Sequence, residues 1–341
     1  AVLKSMDKEL IEKLKKTGFN IPLILVDEKP ISKIELDQKI DQLAEEYEKS
    51  LIPPFLQGLI LHRQKEVLHF DTPGHHDGAF FARHPTGRIF EHFLGRECLQ
   101  NDRSSSDVDL GDLLIHEGFS ALSEKHAAKV FNADKVFFVL NGSSTSNLVV
   151  SKAIVGYRDL ILFDRNNHKS VYNGNLIQSG AIPVYLQTER NPFGFIGGIS
   201  GFCLKEDYIR NKIKKVCPEK ANKERPFRLA IIQLGTYDGT IYNAKTVIEK
   251  IGHLCDYVLF DSAWVGYEQF IPMLRNCSPL LLDLNEKDPG ILVVQSIHKQ
   301  QAGFSQASQI LKKDSHIKDQ ERYCNYQIFN GAYRFYSTTS P

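Results

Sequence analysis

The sequence predicts an α/β protein built on a mostly parallel sheet, and two observations carry that prediction. From Asp71 onward, short β-rich runs alternate with amphipathic segments, the texture of successive βα units. The runs are also apolar on both faces, as in Leu229-Ala230-Ile231-Ile232 and Ile291-Leu292-Val293-Val294, which suits strands covered by helices on both sides.

Taken in order, residues 8–16 read as a helix and 21–26 as a short apolar strand, too little chain for a core of its own. Residues 1–32 are therefore expected to be the remnant of a preceding domain. Residues 33–70 read as a helical linker. Ile34, Leu36, Ile40, Leu43 and Tyr47 fall at helical spacing, and Pro53-Pro54 predicts a break before a second helix. Residues 71–313 are expected to form one large domain, and 314–341 to begin a connection to a further, small domain. Strands are expected at 136–140, 160–164, 183–187, 228–234, 257–261, 290–295 and 303–310, and helices at 111–132, 146–156 and 244–255.

Composition narrows the function. A chain of 341 residues with 42% hydrophobic residues can bury a large core. Lys and Arg total 42 against 41 for Asp and Glu, so there is no strong field to recruit nucleic acid or an anionic membrane. The six cysteines are scattered without CxxC spacing, which argues against zinc, redox or disulfide roles and fits a reducing cytoplasm. No metal site is expected. With no signal-like N-terminus and no run of eighteen apolar residues, neither secretion nor membrane insertion is expected.

In an open α/β sheet, ligands bind at the carboxyl ends of the strands. Four polar groups stand there. Asn141-Gly142-Ser143-Ser144-Thr145-Ser146-Asn147 follows one strand and precedes a helix expected to start near Ser146, so it offers either a phosphate cradle or an ordinary helix cap. Neither a Walker sequence, a GxGxxG fingerprint nor a GxSxG elbow occurs at this position. Asp164-Arg165-Asn166-Asn167-His168-Lys169-Ser170 follows the next strand and places a histidine where a ligand ring could stack. Asp261 ends an apolar strand beside the only tryptophan, Trp264, and a carboxylate there needs a cation or several donors. Lys299, in Gln295-Ser296-Ile297-His298-Lys299, reads alone as a snorkelling surface residue, yet desolvation can make such an amine nucleophilic. Cradle, stacking ring, buried acid and nucleophilic amine together are what pyridoxal 5′-phosphate requires.

These residues also lie in longer motifs: Thr72-Pro73-Gly74-His75, Leu110-Gly111-Asp112-Leu113-Leu114, Asp164 to Ser170, Asp261-Ser262-Ala263-Trp264 and Ser296-Ile297-His298-Lys299. In these motifs the chain resembles the Orn/Lys/Arg decarboxylase family from Asp71 to Pro341. The resemblance implies an aspartate-aminotransferase-like fold, in which a mostly parallel seven-stranded sheet carries helices on both faces, and pyridoxal 5′-phosphate as cofactor. It implies further that Lys299 forms the Schiff base, that Asp261 pairs with the pyridine nitrogen and that His168 stacks on the ring. Ser143, Ser144 and Ser296 would hold the phosphate, Trp264 and Ala263 would lie near the phenolic oxygen, and His298 is a candidate proton donor. Thr338 would reach a partner subunit's phosphate.

Flanking residues look like the prokaryotic-type ornithine branch, notably Gln300-Gln301-Ala302-Gly303-Phe304-Ser305-Gln306, Trp264-Val265-Gly266-Tyr267-Glu268-Gln269-Phe270 and Gln233-Leu234-Gly235-Thr236-Tyr237-Asp238-Gly239-Thr240. One stretch departs from that branch: Ser104-Ser105-Ser106-Asp107-Val108-Asp109 stands where its members read Cys-Asn-Ala-Asp-Val-Ala. The resemblance thus implies decarboxylation of L-ornithine to putrescine and CO₂. Lysine or arginine decarboxylation, transamination and a truncated non-enzymatic paralogue are the rival readings. It also implies a small basic amino acid as substrate and a homodimer with the site at the subunit interface, able to assemble into a higher oligomer of dimers. Members continue into small and C-terminal domains, which the chain is expected to lack, and the N-terminal remnant looks like part of a flavodoxin-like wing.

Overall fold

The computed structural model describes the chain except residues 1, 5–7, 17–23, 27–31, 66, 68, 69, 71, 105, 106 and 338–341. It separates into two units, Ala1–His69 and Phe70–Pro341. Among the described residues no helix is long and apolar enough to cross a membrane.

In the first unit β1 (Val2–Lys4) pairs in parallel with β2 (Ile24–Val26), with α1 (Lys8–Lys16) between them in sequence. Residues 21–23 of the expected strand lie outside the described residues. Helix α2 (Lys33–Leu51) opens on a capping box in which Ser32 and Glu35 satisfy each other's backbone donors. It stops ahead of Pro53, and α3 (Pro54–Arg63) restarts with a proline in its first turn, where the missing N–H costs nothing.

In the second unit α4 (Pro85–Leu94), α5 (Arg96–Gln100) and α6 (Gly118–Phe131) precede the sheet. Then come β3 (Lys135–Val139), α7 (Gly142–Ile154), β4 (Leu160–Asp164), α8 (Lys169–Tyr172) and β5 (Ile182–Leu186). A small hairpin, β6 (Thr188–Arg190) and β7 (Ile196–Ile199), leads through α9 (Glu206–Val216) to β8 (Phe227–Gln233). The chain closes with α10 (Ala244–Ile251), β9 (Cys255–Asp261), β10 (Gly290–Ser296), α11 (Ile297–Gln300), β11 (Ser308–Lys313) and α12 (Tyr326–Tyr336).

The expected seven strands form one sheet, and their order is β3-β11-β10-β9-β8-β4-β5. Only β11 runs against the others, pairing antiparallel with β10 and β3. The remaining six therefore share one direction, and the carboxyl ends of β3, β4, β9 and β10 all lie along the same edge.

The period of two along each strand sorts the core into two layers. Leu162, Ile232, Phe260 and Val293 pack with Ile209, Ile213, Val247 and Ile251 of α9 and α10. Their neighbours Phe163, Ile231, Leu259 and Val294 pack with Val149, Val150 and Ala153 of α7 and Phe329 and Tyr333 of α12. Both faces are sealed, which is why the strands read as continuous apolar runs.

Several element bounds differ from expectation, each for a local reason. The helix expected from 111 starts only at Gly118. Gly111 and Gly118 both have positive φ, and a Cβ on Gly111 would sit 2.3 Å from the Glu117 carbonyl, so residues 111–117 fold as a tight turn. Helix α7 begins at Gly142 rather than Ser146, which puts the serines inside its first turn. The helix expected to reach Cys255 ends at Ile251, and a short turn, Gly252–Leu254, delivers Cys255 to β9. Residues 303–307 are loop, not strand: the Gly303 N–H bonds back to Ile297 O at 3.0 Å and Ala307 N–H to Phe304 O at 3.1 Å.

Candidate active site

The four polar groups converge. A cavity of about 220 Å³ at the carboxyl edge of the sheet is lined by Ser143, Ser144, His168, Asp261, Ala263, Trp264, His298 and Lys299, with Asn141, Gly142, Gln233, Ser305 and Gln306. Ser296 is buried below it and donates its hydroxyl to Ser143 Oγ at 2.7 Å. Thr338 lies outside the described residues.

One wall is the first turn of α7. Gly142 takes φ of +76°, a conformation side chains disfavour, and turns the chain from β3 directly into the helix. The free N–H groups of that turn and the hydroxyls of Ser143 and Ser144 then face one volume, an arrangement suited to an anion.

Asp261 forms the floor. Hydrogen-bond register within β9 ends at this residue, and its side chain is 1% exposed. Its Oδ1 accepts from the Ala263 N–H at 3.0 Å and its Oδ2 from Asn147 Nδ2 at 3.0 Å. Burial pushes the carboxyl above its ordinary range. The two neutral donors and the more distant His168 and Lys299 pull it back.

Lys299 comes from the loop side. It sits in the single turn α11 that follows β10, half-buried, with Nζ 4.3 Å from the centre of the Trp264 ring. Burial lowers its pKa and Asp261 opposes the fall. The cavity thus discourages both charges, leaving an amine readier to act as a nucleophile and a carboxylate short of a cation.

The two histidines are oriented by different bonds. His298 Nδ1 donates to Ala307 O at 2.8 Å, which leaves Nε2 as its free nitrogen. His168 caps α8, its Nδ1 accepting from the Ser170 N–H at 3.2 Å.

Sequence reasoning gave no role to Gln233, Gln295 and Gln301, which it met only as parts of motifs, and did not single out Gln309. Gln301 and Gln309 donate to Gln295 Oε1 at 3.1 and 2.7 Å, and Gln295 Nε2 lies 3.4 Å from Gly266 O, so the loop carrying Lys299 is tied to the one carrying Trp264. A glutamine next to an apolar strand carries no periodic signal. The tie becomes visible only once the strands are side by side.

Comparison with known proteins identifies the family of the chain. The family model described as Orn/Lys/Arg decarboxylase, major domain, matches residues 53–341. An ornithine decarboxylase of Haemophilus influenzae is 54% identical across 100% of this chain and 50% of its own length. The inducible ornithine decarboxylase of Escherichia coli is 59% identical over 89% of this chain and 42% of its own. A solved lysine decarboxylase A from Pseudomonas aeruginosa superposes with a TM-score of 0.81 at 35% identity, covering 93% of this chain and 42% of that one. The chain spans about half the length of the curated relatives it matches. It belongs to the Orn/Lys/Arg decarboxylase family.

Proposed function

We propose that this chain is the cofactor-holding part of a pyridoxal 5′-phosphate-dependent decarboxylase that converts L-ornithine to putrescine and CO₂. The observation that carries the reading is the pairing of Lys299 and Asp261 across one cavity, an amine with a lowered pKa facing a buried acid whose hydrogen-bond donors are both neutral.

The residues fit that cofactor. A protonated ring nitrogen is the cation the Asp261 carboxylate lacks, and the first turn of α7 with Ser143 and Ser144 offers the donors that a phosphate needs, braced from below by Ser296. When bound, pyridoxal phosphate supplies an electron-accepting ring for the electron pair left behind by departing CO₂.

The chain's own groups then have distinct tasks. Lys299 Nζ is the covalent anchor, and its lowered pKa keeps a share of it neutral enough to react. Asp261 holds a proton on the ring nitrogen. His168 stands at the cavity wall as the stacking ring, and Trp264 with Ala263 closes the side facing Lys299. His298, its Nδ1 tied to Ala307 O, presents Nε2 toward the cavity as the group that moves a proton to the product carbon.

Substrate choice follows the relatives. Those named ornithine decarboxylase are 53–59% identical to this chain, whereas those named for lysine or arginine are 30–36% identical. We further propose cytoplasmic residence, in keeping with free thiols at all of its cysteines, and a homodimer whose site lies at the subunit interface. Incubating the full-length enzyme and cofactor with ornithine, lysine and arginine separately tests the reading. Putrescine from ornithine is expected as the dominant amine; dominant cadaverine or agmatine would contradict the substrate.

A further inference from the structure

Asp261 and His168 enter the cavity from different segments, and one buried amide joins them. Asn147 lies one helical turn after Ser143 on α7 and is 1% exposed. Its Nδ2 donates to Asp261 Oδ2 at 3.0 Å and to Ser170 Oγ at 3.1 Å, so both amide hydrogens are committed. Ser170 Oγ in turn lies 2.9 Å from His168 Nδ1.

The direction of this chain is fixed by what each atom can do. His168 Nδ1 already accepts from the Ser170 backbone N–H and so carries no proton. The Ser170 hydroxyl must therefore point its hydrogen at the same nitrogen, while its oxygen accepts from Asn147. The His168 proton is left on Nε2. Donation runs from Asn147 through Ser170 to His168, and from Asn147 directly to Asp261.

The amide cannot be reversed without loss. Turned over, it would set Oδ1 against the Asp261 carboxylate and remove both donors. In the orientation observed, Oδ1 is a buried acceptor that finds no partner among the described residues. An unpaired buried acceptor is costly, so the site tolerates a penalty to keep both N–H groups aimed as they are. Anchoring α7 to the sheet does not explain this, because Val149, Val150 and Ala153 already bury that face.

We infer that Asn147 is a positioning residue for the reaction, one amide that fixes the Asp261 carboxylate and, through Ser170, the plane and tautomer of His168, so that the two groups act as a unit. The inference rests on the functional reading above.

The test uses the full-length enzyme loaded with pyridoxal phosphate. Asn147→Leu keeps the volume and removes both donors. It is expected to lower kcat by about 10–100-fold with KM within about threefold, and to change the absorption spectrum of the bound cofactor while Lys299 remains trapped by borohydride. Ser170→Ala cuts only the His168 branch and is expected to cost less. The double variant should lose less than the product of the two single losses, the mark of coupled groups. Losses that multiply, or a wild-type kcat and spectrum in Asn147→Leu, overturn the inference. If Asn147→Leu does not fold, Ser170→Thr decides, since it keeps the hydroxyl and must recover the activity lost in Ser170→Ala; no recovery overturns the inference. A wild-type enzyme that cannot be trapped at Lys299 defeats the functional reading and this inference with it. Normal trapping with multiplicative losses defeats the inference alone.

Discussion

Asp261 and Lys299 are displaced in opposite directions by one cause, removal from water, and each becomes useful through that displacement. If Asp261 serves to keep a ring nitrogen protonated, Asp261→Asn preserves the shape and removes the charge. It should lower kcat by about 10²–10³-fold while the protein still retains the cofactor, measured by turnover and bound-cofactor absorbance on one preparation. Asp164 shows the same burial without a role in the cavity. Its carboxyl is fully buried and pushed up to about 6, with only the Asn166 and Gln233 N–H groups pulling it down. Since its ordinary value is about 4, the neutral acid favours the folded state, and that contribution is full below about pH 4 and lost as pH rises through about 6. Asp164→Asn cannot ionise, so its stability relative to wild type should improve between pH 4 and pH 8 by an amount on the order of 3 kcal/mol. Parallel urea midpoints across that range would refute this. At this scale Lys299, Asp261 and His168 were legible because each stands just past an apolar strand in a distinctive motif. Asn147 was not, since an asparagine inside a helix says nothing about an aspartate 114 residues away.

The elements explain why those residues meet. Strands were legible because burial on both faces leaves unbroken apolar runs, and their expected ends fell within a few residues of the observed ones for six of the seven. Helix starts were harder, because glycine and serine chemistry reads as turn. In α7 that turn chemistry is itself the first turn of the helix, made possible by the positive φ of Gly142. A Cβ there meets nothing closer than 3.8 Å, so Gly142→Ala isolates the conformational cost from any clash. We expect a loss of about 1–2 kcal/mol in unfolding free energy and weaker cofactor retention, as the first turn relaxes away from the phosphate position. Full stability with unchanged retention would show that the turn does not depend on this glycine. The loop at 303–307 was misread as strand because Ala307 and Ser308 continue into β11 without a breaker, and only the backbone bonds to Ile297 and Phe304 reveal the fold-back.

At the scale of the whole molecule, the sheet gathers residues from 141 to 306 onto one edge, so the cavity is a product of topology rather than of any one motif. Every proposed role in the cavity turns on Lys299 being the covalent anchor. Full-length enzyme loaded with pyridoxal phosphate, reduced with borohydride, digested and mapped by mass spectrometry tests that directly. We predict one reduced pyridoxyl group, on Lys299, and none after Lys299→Ala. A label on another lysine, or one that survives the substitution, would contradict the account.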